Sequence, residues 1–289
     1  MHGQGRPAYA QGEDQPRHAR QEPPEERGPG GEEEGPRRSA EAEAVQGLST
    51  TRVEVHPDAH AAARAGAERF AEHARAAVEA RGRFAVALSG GGAPRETYAL
   101  LAGEPFVSRI PWEGVHLFWG DERCVPPGHP RSNFGMAHRA LVARVPIPPE
   151  NVHRMRGELP PAEGARRYAE ELEAWLGPGI PRFDLLHLGL GEDAHTASLF
   201  PFDPLLRERA RGVGVALHRP LGEFRLTLTL PVLNAAARVE VLVLGAGKAV
   251  AVRGVLRGPL DPFRLPAQLV RPRDGEALWR LDRAAAARL

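Results

Sequence analysis

The stretch 84–88 (FAVAL) is apolar at every position, the pattern of a strand covered on both faces rather than one that alternates between core and water. It stops at Ser89-Gly90-Gly91-Gly92-Ala93-Pro94, after which 95–102 carries apolar residues at helical spacing. This unit of strand, glycine loop and helix is one of several. Positions 52–56 alternate like a strand, and 57–80 repeat Ala, Val and Phe at helical spacing. Further strands are predicted over 115–119 (VHLFW), 151–155, 183–190 (FDLLHLGL), 212–217, 225–230 (RLTLTL) and 239–244 (VEVLVL). Helices are predicted over 133–143, 161–175, 231–236 and beyond 248. The alternation predicts an α/β fold, doubly wound, with a mostly parallel sheet and helices on both faces. Ligands of such a sheet gather beyond the carboxyl ends of the strands, where the strand order reverses. The polar motifs of this chain fall at such ends, after Leu88, Trp119, Leu190 and Leu244.

The first 49 residues break this pattern. They consist mainly of Gly, Pro, Glu, Gln and Arg, with too little apolar surface to offset the entropy of ordering. A disordered extension over 1–49 is therefore expected ahead of a single α/β domain over 50–289. Charge is divided in the same way. Residues 1–50 hold 6 Arg against 10 Asp and Glu, which leaves 32 basic and 27 acidic residues in the remainder. That balance is mildly basic and far from a nucleic-acid footprint. No run approaches the roughly 18–20 apolar residues of a membrane span, and the N-terminus lacks the apolar core of a signal peptide. The single cysteine, Cys124, cannot form an intrachain disulfide, so a reducing cytoplasm fits.

Of the 38 basic side chains, only Lys248 is a lysine. It is either a chance survivor on a solvated face or a site that needs a compact ammonium rather than a planar guanidinium. The loop at Ser89, Gly90 and Gly91 lets the backbone approach a ligand and turns N–H groups toward an anion, which suits phosphate; a tight strand-to-helix turn would use the same glycines. Known nucleotide and serine-hydrolase loops do not fit. The GK[ST] ending of a Walker loop is missing, Gly189-Leu190-Gly191 lacks a third glycine, and Ser89 is not in a G-x-S-x-G elbow. In Trp119-Gly120-Asp121-Glu122-Arg123-Cys124, Arg123 has the geometry to fork a phosphate. Asp121 and Glu122 read equally well as ligand groups or as structural partners of nearby bases. His195, two residues after Asp193 at a strand-to-helix junction, can accept a proton near neutral pH while the carboxylate orients its ring. No H-E-x-x-H or comparable spacing suggests a metal among the 12 histidines.

Taken in order, SGGGAP, WGDERCVPPGHPRSN (119–133), IPPENVHRMRGE (147–158), FDLLHLGLGEDAHTASLFP (183–201), RLTLTLPVLNAA (225–236), GAGKA (245–249) and WRLDRAAA (279–286) resemble the DevB-type 6-phosphogluconolactonases. These enzymes sit in a larger group with the glucosamine-6-phosphate deaminases. The resemblance covers about residue 51 to 289. It implies a metal-free and cofactor-free hydrolysis of 6-phosphoglucono-1,5-lactone to 6-phosphogluconate in the pentose phosphate pathway. It also implies His195 as general base on water, Asp193 as its orienter, and phosphate contacts from Ser89, Gly90, Gly91, Arg123 and Lys248. The implied partner is a small sugar-phosphate lactone, with neither nucleic acid nor membrane; oligomeric state is left open. A deaminase would continue after the histidine into Asn-Glu-Pro, where this chain has Ser198-Leu199-Phe200-Pro201. A non-catalytic sugar-phosphate sensor would leave His195 and Asp193 without a purpose. Three residues depart from the family pattern: Gly92 stands where serine is usual, and Ala194 and Phe202 stand where glycine is usual. Ala194 would be strained if its position requires a positive φ.

Overall fold

Parallel strands without a polar face must be covered from both sides, and the apolar runs that carry this expectation form the middle of a six-stranded sheet. A computed structural model describes residues 51–289; the extension expected over 1–49 lies outside the described residues. The strands of this sheet are β1 (Thr51–His56), β2 (Phe84–Leu88), β3 (Val115–Trp119), β5 (Leu185–Leu188), β8 (Arg238–Val243) and β9 (Glu276–Asp282). They lie in the order β1-β9-β8-β5-β2-β3, and every adjacent pair is parallel. All residues of β2 and β5 are buried. From β2 the chain moves outward to β3 on one side, then returns past β2 to β5 and continues outward through β8 and β9 on the other. Right-handed crossovers in opposite directions put their connections on opposite faces, so the sheet is doubly wound with its switch point between β2 and β5.

The helix Ala59–Arg81 shows how locally this layer is specified. Asp58 caps it by accepting a hydrogen bond from the Ala61 N–H at 2.8 Å, and Gly82 ends it in the left-handed region at φ 73°. Its buried face is Ala62, Ala63, Gly66, Ala67, Ala71, Ala74 and Ala77, small residues that let the helix lie close on the sheet, with Phe70 as the one large side chain.

A second sheet was not separable from the first in the sequence. β4 (Asp121–Arg123), β7 (Glu223–Leu228) and β6 (Val213–His218) form an antiparallel sheet of order β4-β7-β6. Gly120 joins the two sheets: its N–H donates to the Leu88 carbonyl at 2.8 Å, and its own carbonyl accepts from the Leu228 N–H at 2.8 Å. The segment 151–155, predicted as a strand, is not one. It makes a single bridge from Val152 to Leu117 after a 3₁₀ turn at Pro149–Asn151. Pro148 and Pro149 offer no N–H to a ladder.

The alternation of β1 is as expected, but its polar side is the inner one. Val53 and Val55 are exposed, while Glu54 and His56 face Arg280, which is 1% exposed. Arg280 donates to Glu54 at 2.8 Å and reaches Glu240 at 3.4 Å. A buried guanidinium needs such partners, and this need reverses the usual inside and outside of an edge strand.

Candidate active site

Two tyrosines fix the ends of β2 and β3 in the same way. The Tyr98 hydroxyl accepts from the Ser89 N–H at 3.0 Å and donates to the Ser89 carbonyl at 3.2 Å. The Tyr168 hydroxyl does the same for Trp119, at 2.9 and 3.0 Å. Backbone groups that leave a parallel sheet lose their ladder partners, and these hydroxyls replace them. The glycine loop therefore starts from a fixed point. Gly91, at φ 107°, is the N-cap of the helix Gly92–Leu101 and brings no side-chain cap. The first-turn N–H groups of that helix are left for a ligand. Gly90 is required by crowding, since a Cβ there would lie 1.8 Å from Asn133 Oδ1. At Gly92 a Cβ would meet nothing within 4 Å, so space does not explain why serine is missing.

The acidic pair after β3 divides into two roles. The Glu122 carboxylate accepts from the backbone N–H groups of Arg123, Asn133 and Phe134 and from the Ser132 hydroxyl. It thereby secures the start of the helix Asn133–Ala140, which is a structural task. Asp121 instead borders the cleft. Its carboxylate accepts from Ser198 Oγ at 2.7 Å and from Asn133 Nδ2 at 3.2 Å, tying together loops that follow β3 and β5.

The loop after β5 turns tightly. The Gly191 N–H donates to the His195 carbonyl at 2.8 Å, and Thr196 Oγ1 donates to the Gly189 carbonyl at 2.9 Å. Asp193 Oδ1 lies 2.5 Å from His195 Nδ1 and accepts the His195 N–H at 3.2 Å. Partial burial of Asp193 opposes its ionisation, but the hydrogen bond and charge of His195 outweigh this and hold the carboxyl below its ordinary value. A carboxylate at Nδ1 selects the tautomer with the proton there and leaves the Nε2 lone pair for the cleft. Gly191 has no alternative: a Cβ would lie 2.1 Å from His195 Nδ1 and 2.4 Å from Asp193 Oδ1.

Ala194 and Phe202, the two departures from glycine, adopt φ of 64° and 61°, and Ala197 adopts 47°. Each costs roughly 1–2 kcal/mol relative to glycine in that region. Ala194 recovers part of it by burying its methyl group completely, whereas Phe202 is 65% exposed. Nothing in the structure explains a phenylalanine at 202.

A cleft of about 420 Å³ opens at the switch point. Ser89, Gly90, Gly91, Arg123, His195 and Lys248 all line it, so four separate strand ends bring the residues singled out in the sequence to one place. Asp193 stands behind His195. Sequence reasoning missed Asn133, Ser198, His218 and Arg225, which also line the cleft. Asn133 closed a quoted motif and Arg225 opened another, but neither had a spacing that set it apart. Phe200 lies between two imidazoles, with its ring centre 4.9 Å from those of His195 and His218.

Fold and cleft together define an α/β enzyme with a cation-lined pocket at its switch point. Comparison with known proteins narrows this class: the profile of "Glucosamine-6-phosphate isomerases/6-phosphogluconolactonase" matches residues 57–279. The chain belongs to that family. It is 40% identical over 241 residues to 6-phosphogluconolactonase of Nostoc sp., covering 82% of this chain and 98% of the relative. To the human 6-phosphogluconolactonase it is 44% identical over 213 residues, covering 72% of this chain and 81% of the relative. The solved structure of 6-phosphogluconolactonase from Trypanosoma brucei superposes with a TM-score of 0.75 at 27% identity, over 83% of this chain and 99% of the other. Among the described residues no helix is long and apolar enough to cross a membrane.

Proposed function

We propose that this chain hydrolyses 6-phosphoglucono-1,5-lactone to 6-phosphogluconate in the cytoplasmic pentose phosphate pathway, with His195 as general base on the attacking water. The observation that carries the reading is the 2.5 Å contact from Asp193 to His195 Nδ1 at the edge of a cation-lined cleft. It supports a basic Nε2 that takes a proton from water as the water oxygen bonds to the lactone carbonyl carbon. The carbonyl electron pair becomes an oxyanion. Its return expels the ring oxygen, which takes the proton back from Nε2, and the new carboxylic acid ionises in water. Binding water and carbonyl together supplies most of what such an ester needs. The phosphate is assigned to the N–H groups of the Ser89–Gly91 loop, to Arg123 and to Lys248, all acting as donors to its oxygens. The chemistry runs without a cofactor and without nucleic-acid or membrane partners.

The sister reaction of the family gives the sharpest contrast. Incubation with glucosamine 6-phosphate is expected to release no ammonia above background. Ammonia release at enzymatic rates would overturn the assignment in favour of a deaminase.

A further inference from the structure

His218 lines the cleft, and the register of the small sheet puts it there. Ala216 stands opposite Arg225 in the β6–β7 ladder, and His218, two residues further along β6, lies on the same face of that sheet. Phe200 links it to the loop after β5, with its ring centre 4.9 Å from that of His218 and 4.9 Å from that of His195. The two imidazoles therefore flank one side chain from different sheets and open on the same cleft. The His218 ring is partly exposed, yet its Nδ1 is buried without a hydrogen-bond partner among the described residues. That leaves Nε2 as the polar atom the ring presents to the cleft.

Burial, followed by the charges of Arg225 and His195, holds the His218 imidazole below its ordinary basicity. The ring is thus neutral near pH 7 and carries one proton. The surroundings decide where that proton sits. On Nδ1 it would make a buried donor with no acceptor, whereas a lone pair at Nδ1 is favoured by the positive charge around the ring. The proton belongs on Nε2. His195 and Asp193 act on this ring more strongly than Arg123 does, which puts it toward the His195 end of the cleft rather than the Arg123 end.

We infer that His218 is a further catalytic residue, whose Nε2–H donates a hydrogen bond to the lactone carbonyl oxygen as that oxygen becomes the oxyanion. The inference rests on the proposed lactonase reading. No proton is transferred from His218. Charge grows on the carbonyl oxygen as the water oxygen, deprotonated by His195, bonds to the carbon, and the N–H holds that charge until the ring oxygen is expelled. A neutral donor suits this task in a cleft lined by cations. It stabilises a developing oxyanion but attracts a phosphate dianion less than a guanidinium or ammonium does, so it leaves the phosphate to the other donors.

The test compares wild type with His218→Phe, which keeps a ring beside Phe200 but has no N–H, and with His218→Gln, whose amide restores a neutral donor. The measurements are kcat and KM on 6-phosphoglucono-1,5-lactone, and Tm. His218→Phe is expected to lower kcat by about 10²- to 10³-fold, as loss of one oxyanion donor does. Its KM should stay within about threefold of wild type, because the interaction is realised in the transition state. His218→Gln should recover a large part of the lost kcat. Tm of His218→Phe should stay level or rise, since a buried, unpartnered Nδ1 is removed. A His218→Phe kcat within about fivefold of wild type, a rise in KM with kcat unchanged, or a loss of kcat that glutamine does not recover would each overturn the role. If the wild type itself hydrolyses no lactone, the lactonase reading fails and this role with it; an active wild type beside an undisturbed His218→Phe overturns the role alone.

Discussion

Replacing His195 by alanine is expected to lower kcat on the lactone by roughly 10²- to 10⁴-fold, the contribution of a positioned general base, with KM and Tm close to wild type. The separation follows from where the residue sits. Its side chain is 31% exposed at the cleft and pairs only with Asp193, so the core does not depend on it. The proposed reading assigns phosphate binding to other segments, which truncating the imidazole leaves in place. What the change removes is the lone pair proposed to take the proton from water. Loop and cations still hold the substrate, so a residual acceleration over the spontaneous reaction should persist. Rates must be initial rates corrected for spontaneous opening of the lactone. A variant within a few-fold of wild type would show that His195 is not the base.

Stability is expected to fall steeply between pH 6.5 and pH 5, before ordinary carboxylates begin to titrate. His187 is buried in β5, and burial, helped by the Arg280 charge, lowers its pKa from 6.5 to about 3. Burial and the charges of Arg238, Arg69 and Arg280 lower that of His73 to about 4. Above pH 6.5 both histidines are neutral in folded and unfolded chains, and they cost nothing. Below it the unfolded chain binds a proton that the folded chain refuses, so unfolding gains on every step down until the folded pKa is reached. For His187 this amounts to about 1.4 kcal/mol per pH unit. The half-buried His73 adds a smaller, solvent-screened share. At this chain length that corresponds to a fall in Tm of about 3–6 °C per unit from His187 alone. The consequence reaches the active site, because the His187 ring stacks on Tyr98 at 6.0 Å, and Tyr98 holds Ser89 at the head of the glycine loop. Thermal melts at half-unit intervals would show the slope; a flat Tm over this window would contradict it.

The centre of the parallel sheet was legible because β2, β3 and β5 are almost wholly apolar and run into glycine-containing loops, whereas β9, which carries Glu276, Arg280 and Asp282, was not predicted. A buried parallel strand has no polar face to confuse the pattern, and FAVAL has no other reading at that length. The small antiparallel sheet was not legible for the opposite reason. β4 is Asp121-Glu122-Arg123, three charged residues that no hydrophobic periodicity identifies as a strand. Asp121 and Glu122 are buried there only because Ser132, Ser198, Asn133 and the start of the following helix satisfy the two carboxylates. Arg225 escaped notice for a related reason: in RLTLTL it looks like the outward polar position of an alternating strand, yet its outward side is the cleft. His195, Lys248, Arg123 and the loop stood out because each follows a strand end, and position in a doubly wound sheet carries information that residue type does not. The strained φ at Ala194 was foreseeable from the missing glycine, whereas that at Ala197 had no signal in the sequence.

One measurement bears most directly on the account. 6-Phosphoglucono-1,5-lactone is generated freshly, and the formation of 6-phosphogluconate is followed through a coupled dehydrogenase, with and without the wild-type protein. Initial rates are expected to rise in proportion to protein concentration, well above spontaneous hydrolysis, and to saturate with the phosphorylated lactone. A rate equal to the spontaneous one at every protein concentration would contradict it.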